Sequence, residues 1–168
     1  MKRKTIVPLM LIALMLFVPL SGAAKTPVTL TEIPSENSPI ITFRVILRAG
    51  SVNDWKGKEG INALTAFMLA QGGTTGLTYQ EVVAQLYPWA ASINAQPDQE
   101  LTTFIGNVHR DHLEKFYELF SSLLLKPRFD PDDFTRNKDL ALNYLEKNLR
   151  GTDDENLGKE ALTVTMFA

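Results

Sequence analysis

The sequence contains no cysteine and only two histidines in 168 residues. The first absence excludes a disulfide framework and any thiolate metal site, so stability must come from packing. The two histidines, His109 and His112, stand three apart beside Asp111 and Glu114. A catalytic zinc takes three protein ligands and keeps an open position, whereas these side chains fall at a strand-to-helix junction where Asp111 has the spacing of a helix cap. His109-Arg110-Asp111 lacks the glycine-rich loop that would make it a phosphotransfer triplet. Gly72, Gly73 and Gly76 follow a helical stretch instead of opening one, so no nucleotide fingerprint is present. There is no internal repeat and no low-complexity tract.

What is present begins with Lys2-Arg3-Lys4, an apolar run from Ile6 to Leu20, and Ser21-Gly22-Ala23-Ala24. This charged, apolar, small-residue order is that of a secretory signal over residues 1–24, and it implies export to a periplasm or the medium. The run is too short to cross about 30 Å of hydrocarbon and carries Pro8 and Pro19, so no stable membrane anchor is expected. Loss of the three basic residues at positions 2–4 leaves 14 basic residues against 19 acidic ones, which makes nucleic acid an unsuitable partner. Residues 25–168 are long enough to bury one core and are expected to form one domain.

Ile41, Phe43, Val45 and Leu47 alternate with Thr42, Arg44 and Arg48, the period of a strand with one buried face. Val28-Thr29-Leu30 is a shorter β-prone piece. Ile61 to Gln71 is apolar nearly all round and stops at Gly72-Gly73, as a buried helix does. Thr78 and Glu81 have capping-box spacing and open a second helix that Pro88 should end. Residues 90–94 and 100–108 suit the two strands of a hairpin turning at Gln96-Pro97-Asp98-Gln99. Asp111 and Glu114 repeat the cap spacing before a helix with a stripe from Leu113 to Leu124. Asp130-Pro131 starts another, predicted to run to Gly151, and a last helix begins near Asp153. Strands followed by runs of helices predict an α+β fold, an antiparallel sheet with helices packed mainly on one face.

This order of elements, with Gly50-Ser51 after the first strand, the segment from Gly60 to Thr74, Asn94-Ala95, and Pro127-Arg128-Phe129, resembles the first repeat of the insulinase/pitrilysin family of zinc peptidases over residues 40–168. In active members of that family the helix after the glycine bears His-x-x-Glu-His, and a later helix adds a carboxylate ligand. The corresponding residues here are Ala63, Ala66 and Phe67, and counting forward to the later ligand lands on Tyr144. Alanine and phenylalanine offer no lone pair, and a phenol with a pKa near ~10 is a poor replacement for a carboxylate. Glu146 lies two residues on, about 200° around a regular helix. The four positions therefore read as core residues that plug the space of a lost metal site, since empty polar ligands would be costly to bury. No metal or other cofactor is expected.

The resemblance further implies that Asn94 and Ala95 lie on the edge strand along which an extended peptide adds by main-chain pairing. An ordinary strand with Asn94 as a polar residue near the turn fits the same residues. Family members work as two halves enclosing a chamber, often with metal in one half. The reading is thus a non-catalytic scaffold or peptide-binding half, paired with a zinc-bearing homologue or with a second copy. Two alternatives stand beside it: part of an active metallopeptidase whose metal site lies on a partner or on further sequence, and an interaction module without peptide binding. A family half-unit is longer than this chain, so further helices and strands are expected beyond Ala168 or from a partner.

Overall fold

The computed structural model describes residues 28–35 and 37–167. The signal reading at residues 1–24 falls outside them. The chain divides into a unit ending at Glu36 and a unit from Asn37 onward. In the first, residues 28–35 carry no regular structure, so the β-prone Val28-Thr29-Leu30 is not a strand. Propensity alone does not make one without a ladder to join.

The second unit holds three strands and five main helices: β1 (Ile40–Leu47), α1 (Ile61–Gln71), α2 (Tyr79–Leu86), β2 (Ser92–Pro97), β3 (Thr102–His109), α3 (Leu113–Leu125), α4 (Pro131–Asn143) and α5 (Asp154–Phe167). The sheet is antiparallel in the order β1-β3-β2. The β2–β3 hairpin is present but shifted from its predicted bounds. Ala90 takes a left-handed conformation, which delays β2 to Ser92, and Pro97 closes the strand while the turn falls on Asp98–Leu101.

One face of the sheet is apolar, and the register shows why. Phe43, Gly106 and Ile93 form one row across the three strands, and Val45, Phe104 and Ala95 the next. Ala66 of α1 and Phe116 and Phe120 of α3 bury themselves against Phe104 and Val108 in a single cluster. Phe116 and Phe120 stack at 5.8 Å between centroids, with Phe43 about equally far from both. On the opposite face the row Thr42, Asn107, Ser92 is tied by side-chain hydrogen bonds of 2.8 and 3.3 Å. A one-residue slip of any strand would exchange these two faces, so the rows fix the register. The α+β architecture with helices on one face is therefore as the sequence indicates.

Helix starts follow local chemistry where the sequence signals it. Thr78 accepts from the Glu81 N–H while Glu81 accepts from the Thr78 N–H at 2.7 Å, a complete capping box. Asp130 accepts from the Asp132 N–H at 2.9 Å with Pro131 in the first turn. Two expectations fail. Asp111 does not cap α3: residues Arg110–His112 form a 3-10 turn, in which the Asp111 N–H donates to His109 Nδ1 at 3.3 Å, and α3 begins only at Leu113. The helix from Pro131 does not run evenly to Gly151 either. It widens at Tyr144–Leu149 into a π segment, followed by a short turn at Arg150–Thr152.

Candidate functional site

The site is built on α1, whose first turn has no cap of its own because it is preceded by Gly60. Gly60 has φ +89°, a left-handed conformation that suits glycine. Asp54, in the loop before it, supplies the cap, with its carboxylate accepting from the Gly60 N–H at 2.6 Å and the Asn62 N–H at 3.0 Å. Asn62 then donates to the Thr102 hydroxyl at 3.1 Å, and that hydroxyl donates to the Ala49 carbonyl at 2.7 Å. The start of α1 is thereby fixed to the ends of β1 and β3.

The far end of α1 is held by Arg136 of α4. Its guanidinium donates to the Gln71 carbonyl at 2.5 Å, pairs with Asp133, and lies 4.5 Å from the centre of the Tyr79 ring. Beside it the buried Asn137 amide donates to the Asp133 carbonyl at 2.9 Å. This clamp was not legible in the sequence. Asp133 and Arg136 are visible there only as a pair three residues apart on one helix, with nothing to indicate the end of α1.

Between the two fixed ends, residues of α1 and α4 line an apolar groove of about 780 Å³. Ala63 and Phe67 form one wall; Phe134, Ala141, Tyr144 and Leu145 form the other, with Lys58, Glu59 and Lys138 at its polar margins. Hydrogen bonds from the Gly57 N–H and from its own N–H hold the Glu59 carboxyl below the usual glutamate range.

Three of the four positions singled out in the sequence, Ala63, Phe67 and Tyr144, thus face one groove. They do not plug it. Only Ala66 is a core residue, 3% exposed, whereas Tyr144 is 54% exposed. The expectation that all four are core residues filling the pocket does not hold, since Ala63 and Phe67 are only partly buried and Tyr144, at the start of the π segment, is exposed. Glu146 is exposed and does not line the groove.

Asn94 and Ala95 lie on β2, which bonds only to β3 and is an edge of the described sheet. Their side chains point to opposite faces. Ala95 packs with Ala66 into the core, and Asn94 is exposed opposite Ile105. No residue of β2 lines the groove, so α1 separates the strand edge from it.

His109 lies 3.3 Å from the Asp111 carboxylate and the His112 ring stacks on Trp89 at 6.1 Å. Among the described residues no three His, Asp or Glu side chains are grouped to hold a metal ion. The groove itself is lined at the motif positions by a methyl, a phenyl and a phenol, a donor set that does not fit zinc.

A family model described as insulinase, peptidase family M16, matches residues 30–167. The chain belongs to this peptidase family. Solved structures with the same fold include a protease from Helicobacter pylori, 19% identical with a TM-score of 0.57, where the match covers 67% of this chain and 27% of that one. Another is the inactive domain of an M16 peptidase from Pseudomonas fluorescens, 23% identical with a TM-score of 0.59, covering 67% and 28%. The matched region thus spans less than a third of either of those proteins. Comparison with curated proteins finds no match.

Proposed function

We propose that this chain is an exported, non-catalytic M16 homologue that holds extended peptides by main-chain pairing along β2, as the binding half of a two-part peptidase. The observation that carries the reading is the groove wall at the motif positions. Ala63 and Phe67 have no lone pair to offer, and Tyr144 offers only a phenol, so these residues can supply neither a zinc ligand set nor a general base there.

The peptide role rests on the strand edge. An exposed edge presents unpaired N–H and C=O groups that an added strand satisfies, while pockets between side chains supply selectivity. The basic, apolar and small-residue order of residues 1–24 supports export, and a zinc-bearing half working with this chain would have to share that compartment.

The test is elemental analysis of the purified, dialysed chain for zinc, together with anisotropy binding and cleavage assays on a fluorescent extended peptide. Less than about a tenth of an equivalent of zinc, saturable binding and no cleavage are expected. Stoichiometric zinc with chelator-sensitive cleavage overturns the non-catalytic reading. No binding in the absence of zinc overturns the peptide role and leaves an interaction module.

A further inference from the structure

Where β3 passes into α3, one nitrogen faces two partners that need it in opposite states. His109, the last residue of β3, caps the Arg110–His112 turn, its Nδ1 accepting the Asp111 N–H at 3.3 Å. The same Nδ1 lies 3.3 Å from Asp111 Oδ2. An imidazole nitrogen accepts a hydrogen bond only when it carries no proton, and it donates to a carboxylate only when it carries one. The two contacts therefore belong to two protonation states, and each state keeps one of them.

We propose that this junction is a proton switch at the entry to α3. The neutral imidazole, protonated at Nε2, holds the Asp111 N–H. Taking one proton from water at Nδ1 makes the imidazolium, which drops that N–H and donates its Nδ1–H to the Asp111 carboxylate instead. Water reaches both side chains, which are 39% and 71% exposed. Both partners belong to one residue two positions on, so the exchange needs rotation of side chains and no movement of β3. The other charged groups nearby are turned elsewhere. Arg110 donates its guanidinium to the Ser38 carbonyl at 2.6 Å and its N–H to the Pro39 carbonyl at 2.8 Å. The His112 ring stacks on Trp89, and Glu114 and Lys115 lie beyond the turn in α3. On β1 the residue opposite His109 is the uncharged Ile40. Asp111 is the only ionic partner of His109 among the described residues. The turn leads into the helix whose Phe116 and Phe120 fill the core, so the switch changes how that helix is entered and leaves its packing alone. Every group involved lies within three consecutive residues, and the inference is independent of peptide pairing at β2.

With only two histidines in the sequence, the switch can be followed one ring at a time. NMR of the untagged chain records the imidazole nitrogens and the Asp111 amide at about pH 8 and about pH 5, the range over which histidine side chains change charge. In the alkaline sample His109 is expected to carry its proton at Nε2 alone. There the Asp111 N–H is expected to exchange on the order of five-fold more slowly than in His109→Phe, the factor that one ordinary hydrogen bond supplies. In the acid sample both ring nitrogens are expected to be protonated, and the protection of Asp111, corrected for the intrinsic pH dependence of exchange, to be lost while Phe116 and Phe120 keep theirs. His112→Gln, which removes the other histidine, should leave these results unchanged. A proton at Nδ1 in the alkaline sample overturns the proposal, as does an Asp111 amide equally protected in both samples. Loss of the pH dependence in His112→Gln overturns it too, by assigning the effect to the other ring.

Discussion

Asp54 caps α1 from outside the helix, its carboxylate accepting the N–H of Gly60, six positions further along the chain, at 2.6 Å. The same group takes the Asn62 N–H, so one side chain satisfies two of the donors that a glycine start leaves without partners. Asp54→Ala is expected to lower stability by about 1 kcal/mol, at the usual scale of a lost cap, and Asp54→Asn by less. Chemical denaturation of the three proteins checks the order.

Gly106 lies in the central strand between Phe43 and Ile93 and beneath the Phe116 ring. A β-carbon there would stand 2.8 Å from Phe116 Cζ. Phe116 is fully buried and stacked on Phe120, so it has little room to yield. Gly106→Ala is expected to destabilise by about 1–3 kcal/mol through overpacking, and Phe116→Ala by about 3–5 kcal/mol through the cavity it leaves. Both are read from the shift in denaturation midpoint.

The Arg136 clamp is a further determinant. Arg136→Ala removes the donor to the Gln71 carbonyl and leaves the Asp133 carboxylate, 9% exposed, without its partner. The expected loss is about 2 kcal/mol, the scale of a charge-assisted hydrogen bond. Amide exchange should quicken in the last turn of α1 while β3 keeps its protection. Uniform exchange across both would refute a local clamp.

Acid should loosen the helix starts. The Thr78 N–H and hydroxyl hold the Glu81 carboxyl below its usual range. The Asp132 N–H does the same for Asp130, and the Asn156 side-chain amide, followed by its N–H, for Asp153. A carboxyl lowered in the folded state contributes stability that is present above its unfolded pKa and is lost as pH falls through the folded one. The melting temperature is therefore expected to hold down to about pH 5 and to fall below about pH 4. Glu81→Gln should start lower at neutral pH and converge with the unaltered chain in acid; parallel curves would contradict the cap's role.

The groove can also be asked to accept metal. Ala63, Phe67 and Tyr144 face it, so the triple variant Ala63→His, Phe67→His, Tyr144→Glu is expected to fold and to retain about one equivalent of zinc. Adding Ala66→Glu is expected to fail, because Ala66 is packed against Phe104 and Phe116 and a carboxylate there would be desolvated without a partner. Elemental analysis and thermal melting separate the two outcomes.

Much of this fold was legible where the controlling interactions are local. The bounds of α1, the Thr78–Glu81 box and the Asp130–Pro131 start each depend on a few adjacent residues, and the alternation of Ile41, Phe43 and Val45 marks the core-facing side of β1, although Leu47, which continues the period, is exposed. Long-range placement was less accessible. Asp111 has the spacing of a cap, yet His109 takes its N–H first. Nothing near Arg136 indicates Gln71, and the winding change at Tyr144 has no glycine or proline to announce it. The candidate site was legible as a set of residue identities at Ala63, Phe67 and Tyr144. That they line an open groove with Tyr144 exposed was not, because it depends on how two helices distant in sequence pack.

The end of α4 gives the chain some slack. Because the π segment at Tyr144–Leu149 contains one more residue per turn's bond than the helix before it, removing a single residue there can restore regular winding without moving Phe134 or Arg136. The far wall of the groove can thus be re-aimed by a change of one residue in chain length, while the clamp and the sheet stay as they are.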